Sequence, residues 1–184
     1  MPEDVIALLS RQHEEIRGLF AKVEQTDGDE RRDAFHKLVR LLAVHETAEE
    51  EVVHPEVRRL TEGKTVVEAR LGEEHRAKEL LSTLTELGPD AEGFDTLFRE
   101  FREDVLAHAD HEESEEFPLL RAAHDERRLQ AMAVTARAAE AVAPTRPHPG
   151  VESAKANLLL GLPMAVLDRG RDLIGGLIRK VGGK

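Results

Sequence analysis

The chain has 184 residues, a net charge of −11, 34% charged and 3% aromatic residues, and no cysteine. Its length suits one domain with a modest appendage. The absence of cysteine excludes disulfides and thiolate metal sites, and the negative charge argues against a nucleic-acid-binding protein. A composition rich in Ala, Glu, Leu and Arg favours helix throughout.

Hydrophobic periodicity predicts four long helices, separated by turns that contain Gly, Asp and Pro. These helices cover about residues 3–25, 30–60, 65–87 and 91–119. Short connections make consecutive helices antiparallel neighbours. We therefore predict an all-α fold, an up-down four-helix bundle over residues 1–120.

Two further segments are expected after the bundle. A fifth, Ala-rich helix is predicted within residues 121–143. Residues 144–184 carry seven Lys or Arg against three Asp or Glu, which leaves a net charge of −15 on residues 1–143. We expect this Pro-containing linker and basic amphipathic C-terminal segment to pack on the bundle or on a second subunit. An anionic membrane surface is the alternative.

The location of the protein is predicted from two missing signals. The first residues of the chain lack the basic region and apolar stretch of a signal peptide. The longest nearly apolar run, 158–167, is shorter than the roughly 18 residues that indicate a membrane-spanning helix. A cytoplasmic protein is the prediction.

One short motif occurs twice in the chain. His45 and Glu49 are four residues apart, which places them on the same face of a helix. An offset of 63 residues superposes His45 on His108, Glu49 on Glu112, and Pro55 on Pro118. In the first and third predicted helices the offset is 62, which pairs His13 with His75. The bundle is therefore predicted to consist of two related helical hairpins.

The repeated motif indicates a metal site inside the bundle. Each predicted helix places one histidine on the stripe expected to face the core: His13, His45, His75 and His108. Glu49 and Glu112 add carboxylates one turn later. Burying these groups without compensation is costly, and two divalent cations would compensate them. A single histidine would be better explained as a satisfied or exposed polar residue, but chance does not reproduce the whole motif.

The pattern resembles the hemerythrin-like family of HHE cation-binding domains, over residues 1 to about 120. It is similar to a bacterial variant with His, His-x3-Glu, His and His-x3-Glu. The resemblance implies a hemerythrin-like bundle around two non-haem iron ions with an oxo or hydroxo bridge. By that resemblance, His13 and His45 would bind one iron, His75 and His108 the other, and Glu49 and Glu112 would bridge them.

The third predicted helix departs from the family pattern. Glu79 stands where the family archetype has a second histidine, and it would either supply an oxygen ligand or form a surface ion pair. Leu80 and Leu84 lie nearly opposite His75 on an ideal helix, which leaves Glu73 or Glu74 as possible substitutes for that histidine.

His54 is a further candidate ligand, just before Pro55. An ideal helix puts it opposite His45, so it is predicted to join the site only if the proline bends the helix.

Mixed His and Glu ligation suits non-haem iron that binds peroxide, O2 or NO, with zinc or manganese as alternatives. We predict a role in redox or oxidative-stress defence, with catalase-like peroxide decomposition as the activity. One alternative is a reversible O2 or NO carrier, or an oxygen or iron sensor, without turnover. The other is a metal-stabilised interaction module.

Overall fold

A computed structural model describes residues 2–143 as an all-helical chain. Its α-helices are α1 (Val5–Gln25), α2 (Gly28–Ala48), α3 (His54–Val57), α4 (Gly63–Leu87), α5 (Phe94–His111), α6 (Phe117–Ala123) and α7 (Glu126–Val142). A first π-helical segment, Glu49–Val53, joins α2 to α3, and a second, Glu112–Glu116, joins α5 to α6. The predicted C-terminal segment, residues 144–184, lies outside the described residues.

Side-chain caps and glycines set the ends of several helices. Asp4 accepts a hydrogen bond from the Ala7 backbone N–H at 2.8 Å, which satisfies one of the free donors at the start of α1. Gly88 ends α4 with a φ of +80°, a backbone conformation that favours glycine. Gly63 lets α4 begin directly against α3, because a Cβ there would lie 1.7 Å from the Val57 carbonyl oxygen.

The long helices run up and down, as predicted. Arg17 of α1 pairs with Asp110 of α5 at 2.9 Å, and Glu24 pairs with Arg102 at 3.1 Å. Residue numbers therefore rise along α1 as they fall along α5, so the two helices are antiparallel. α1 packs on α2, and α4 packs on α5. The all-α four-helix bundle with a fifth helix is confirmed.

The core consists of two apolar clusters with a polar layer between them. The first cluster contains five of the six phenylalanines: Phe20, Phe35, Phe94, Phe98 and Phe101. The second is completed by α7, which packs on α1, α2 and the first π segment. The α7 residues in this cluster are Leu129, Met132, Ala133 and Ala136. The fifth helix therefore covers one end of the bundle, and aromatic packing fills the other.

Within residues 2–143, none of the helices combines the length and hydropathy needed to cross a membrane. The cytoplasmic location stays a prediction.

Candidate metal centre

The polar layer is a dense group of buried imidazoles and carboxylates. Its members are at most 9% exposed: His13, His45, Glu49, His54, Glu74, His108, Glu112 and Glu116. Burial of a charged group without a partner is very costly. This layer therefore requires compensation of its charge.

The two π segments explain how residues near the prolines enter this layer. A proline ring has no N–H and clashes with the carbonyl oxygen four residues back in an α-helix. The chain avoids that clash by forming wider turns, in which the N–H of His54 bonds the Glu49 carbonyl oxygen and the N–H of Phe117 bonds that of Glu112. Each π turn inserts one residue and rotates the following chain by about 100°.

This rotation decides the position of His54. On an uninterrupted helix it lies opposite His45, but the inserted residue turns it inward, and it is 3% exposed. Its Nε2 is 2.7 Å from Glu74 Oε1. The bend at Pro55 on which its inclusion depended is this π segment, and the structure places His54 inside the polar layer.

A first ligand group is formed by His13, His45, Glu49 and Glu112, with one ligand atom from each within 4.8 Å of the others. The Nε2 atoms of His13 and His45 are 3.1 Å apart. His13 Nε2 lies 3.2 Å from Glu112 Oε2, and His45 Nε2 lies 3.1 Å from Glu49 Oε1. Four of the residues predicted from the repeat therefore converge on one point.

A second ligand group is formed by Glu49, Glu74 and His108. His108 Nε2 is also 3.3 Å from Glu112 Oε1, the oxygen of Glu112 that does not face His13. Glu49 thus belongs to both groups, and Glu112 directs one oxygen toward each. The two carboxylates lie between two candidate cation positions.

The Nδ1 atom of every histidine in the layer has an oxygen partner. These pairs are His13 with Glu113 at 2.7 Å, His45 with Gln12 at 2.9 Å, His54 with Glu116 at 2.9 Å, and His108 with Glu73 at 3.0 Å. An oxygen acceptor holds a proton on Nδ1 and turns Nε2 toward the centre, as in metal sites whose ligating histidines bond a carboxylate.

The facing atoms in the centre lack the protons that would make them hydrogen-bond to each other. Both carboxylate oxygens of Glu49 and of Glu112, and Nε2 of His108, are buried without a hydrogen-bond partner among residues 2–143. Lone pairs therefore face lone pairs across the layer. A divalent cation satisfies such an arrangement, and imidazole with carboxylate suits iron, zinc or manganese.

The electrostatics of the layer are strongly perturbed. Burial, and then the neighbouring His13, lower the pKa of His45 to about 3. Burial and the nearby Glu112 carboxylate raise the pKa of Glu49 well above its usual value. Burial alone would lower the pKa of His54, but its hydrogen bonds to Glu116 and Glu74 outweigh burial and raise it to about 10. Protons therefore occupy part of the site unless cations replace them.

The expected position of His75 on the core-facing stripe is wrong. Its side chain is 45% exposed and faces the 64% exposed Glu79, with Nε2 and Oε1 3.4 Å apart. Neither residue belongs to either ligand group. Glu79 instead forms the surface pair that was its alternative interpretation.

The physical reason is the rotational phase of α4. The buried residues of α4 include Val67, Arg70, Glu74, Ala77, Leu81 and Leu84. They match buried positions of α1 at an offset of 61 residues, not the 62 inferred from the histidines. Glu74 consequently occupies the place predicted for His75. Leu81 and Leu84, spaced seven and ten residues after Glu74, were the sequence signal for this phase.

A largely enclosed cavity adjoins the two ligand groups. Its interior admits the centre of a water-sized molecule over about 20 Å³, more than the roughly 10–15 Å³ that one water requires. Its polar lining is His13, His45, Glu46, Glu74 and His108, and its apolar lining is Ile16, Leu42, Ala77, Val105, Leu106 and Ala109. The cavity therefore suits a very small molecule that enters beside the candidate ligands.

Lys78 is a buried cation that sequence reasoning missed. Its Nζ donates to Glu50 at 2.6 Å and to Glu74 at 3.3 Å, and it lies 3.4 Å from Glu46 Oε2. Burial raises the pKa of Glu46 to about 7, although Lys78 opposes this shift. Lys78 stands four residues after Glu74, on the same face of α4. It compensates part of the negative charge of the layer.

Comparisons with known proteins agree with this geometry. The model of the hemerythrin HHE cation binding domain family matches residues 4–120. A DNA nickase from Nostoc sp. is 28% identical over 120 residues, which are 65% of this chain and 33% of the nickase. The chain thus spans about a third of the length of that curated relative.

A solved structure shows the same fold. It is a hemerythrin HHE cation-binding-domain-containing protein from Mycobacterium kansasii, with a TM-score of 0.66 and 21% sequence identity. The match covers 76% of this chain and 88% of the Mycobacterium chain. At this identity the likeness extends to the architecture of the bundle.

Proposed function

This chain belongs to the hemerythrin HHE cation-binding family, and we propose that its polar layer holds two non-haem iron ions with an oxo or hydroxo bridge. The observation that carries the proposal is the membership of Glu49 in both ligand groups. In this assignment His13 and His45 hold one ion, His54, Glu74 and His108 hold the other, and Glu49 and Glu112 bridge them.

The donor set and the cavity support a small oxidant as the substrate. Bound iron supplies redox chemistry with peroxide, O2 or NO, which suits imidazole and carboxylate ligands. The cavity admits a molecule of that size and opens onto His13, His45 and His108. Its apolar walls, such as Leu42 and Val105, restrict access by water and by larger substrates.

The proposed activity is catalase-like and contributes to oxidative-stress defence. One hydrogen peroxide is reduced to two waters with two electrons and two protons. A second peroxide returns two electrons and two protons and leaves as O2. The balance is two peroxides to two waters and one O2, so no further co-reactant is required.

Metal analysis and oxygen measurement test the proposal together. We expect about two iron ions per chain in the purified protein and O2 evolution when peroxide is added. His45→Ala should abolish turnover because it removes a ligand of the first group. His75→Ala is the matched control, since this histidine lies on α4 outside both groups, and it should retain iron and activity.

Two results would overturn parts of the proposal. Fewer than one metal ion per chain would exclude the two-iron assignment. A reversible spectral change with O2, without peroxide turnover, would identify a carrier and not an enzyme.

DNA cleavage, the activity named for the Nostoc relative, is not part of the proposal. The chain spans about a third of that protein, and residues 1–143 carry a net charge of −15. A charge of that sign is repelled by the phosphate backbone.

A further inference from the structure

One of the four buried histidines differs from the others in its Nδ1 partner. His13, His54 and His108 each contact a carboxylate through Nδ1. His45 instead contacts the side-chain amide oxygen of Gln12, at 2.9 Å. Gln12 is 5% exposed, so this contact is buried. A neutral amide therefore replaces a carboxylate behind one of the candidate ligands.

Gln12 has a second partner at its other end. Its Nε2 donates to Glu140 Oε1 at 2.8 Å. Glu140 lies near the end of α7, the helix that packs on α1 and α2. The family match ends at residue 120, so this partner comes from a helix outside the matched region. A chain of two hydrogen bonds thus runs from α7 to His45.

The chemistry of this chain fixes the direction of each hydrogen bond. An ionised carboxylate only accepts hydrogen bonds, whereas an amide has a donor end and an acceptor end. Glu140 therefore selects the orientation of Gln12 in which Nε2 faces the carboxylate and Oε1 faces His45. An amide oxygen in turn requires the proton of His45 on Nδ1, which leaves the lone pair of Nε2 directed at Glu49.

We propose that Glu140 is a positioning residue that sets the tautomer of His45 through Gln12, so that α7 forms part of the metal centre. The role as a metal ligand rests on the proposed function, whereas the tautomer does not. Without the carboxylate, the Gln12 amide is free to reverse and present its NH2 group to His45. That orientation favours the proton on Nε2, which blocks the ligand atom.

A purely structural role for Glu140 is the competing explanation. Arg137 and Glu3 also form an ion pair between α7 and α1, and this pair does not touch Gln12. Arg137→Ala therefore removes a contact between the same two helices and is the matched control. Glu140→Gln is the conservative variant, because its amide oxygen still accepts from Gln12.

The test uses the full chain and two measurements. The ring ¹⁵N chemical shifts of His45, assigned with a His45→Gln variant, report its tautomer in the metal-free protein. Competition with a chelator reports Fe(II) affinity. Glu140→Leu should shift His45 toward the Nε2–H tautomer and weaken Fe(II) binding about tenfold or more, as loss of an outer partner does. Glu140→Gln and Arg137→Ala should resemble the wild type in both measurements.

The outcomes separate the possible failures. An unchanged His45 tautomer in folded Glu140→Leu overturns the inference, as does a loss of Fe(II) affinity that Arg137→Ala shares. If Glu140→Leu does not fold, loss of the Nδ1–H tautomer in Glu140→Ala supports the inference and its retention overturns it. A wild-type chain that binds no iron overturns the proposed function, while the ¹⁵N shifts still decide the tautomer.

Discussion

The two π segments occupy equivalent places in the sequence repeat but deliver different side chains to the centre. After the first, His54 directs Nε2 at Glu74. After the second, the equivalent residue is Phe117, whose ring stacks on His13 with centroids 5.8 Å apart and planes 5° from parallel. The repeat therefore builds the shared carboxylates Glu49 and Glu112 symmetrically. The second cation position is completed by residues that the repeat does not duplicate.

The largest effect is expected at a residue common to both positions. Glu49→Ala removes a carboxylate from both ligand groups, so both iron ions should be lost. Loss of a direct ligand should exceed the about 10–100-fold penalty of losing an outer partner. Iron per chain, measured by elemental analysis, checks this. Glu51→Ala is the control from the same π segment, and equal iron loss in both variants would contradict the assignment.

Glu74 and His75 give a sharper contrast within one helix. Glu74→Ala should leave about one iron per chain, because it removes a ligand of the second position only. His75→Ala should leave two, because its side chain faces Glu79 at the surface. Titration of the metal-free variants with Fe(II) distinguishes them. The reverse pattern would restore the ligand set inferred from the histidine spacing.

Replacing His54 by phenylalanine makes the first π segment resemble the second. We expect His54→Phe to weaken the second iron selectively, while the first stays bound through His13 and His45. His36→Phe, an exposed position on α2, is the control. Stepwise Fe(II) titration measures the two affinities. Equal weakening of both ions would show that His54 acts on the whole bundle and not on one position.

The smallest expected effect is a difference in proton release. At pH 7 the pKa of about 10 leaves His54 protonated, whereas the pKa of about 3 leaves His45 neutral. A ligating imidazole must be neutral, so filling the second position should release a proton and the first should not release one from His45. Iron affinity should therefore fall as the pH decreases. Calorimetry in two buffers of different ionisation enthalpy measures the released protons, and no release from the wild type would contradict this assignment.

Much of the fold followed from the sequence because it depends on regular spacing. The stripes, the turns and the repeated His-x3-Glu motif predicted the bundle and brought His13, His45, Glu49, His108 and Glu112 together. Position on α4 did not follow, because similarity between His13 and His75 suggested a phase that is one residue wrong. Burial of Leu81 and Leu84 sets the true phase, and packing outweighed the histidine match.

The partners of the histidines were harder to foresee for another reason. Gln12 and Glu140 are 128 residues apart in sequence, and only the packing of α7 on α1 brings them together. The π segment at Pro55 was suggested by the proline, but the size of its rotation depends on which carbonyl the preceding N–H selects. Such long-range and irregular features carry no periodic signal.

The central claim is tested most directly by a crystal structure of the iron-loaded protein, with anomalous diffraction recorded at the iron absorption edge. The account predicts two anomalous peaks, one beside His13 and His45 and the other beside His54, Glu74 and His108, with Glu49 between them. A single peak, or a second peak beside His75, would contradict it.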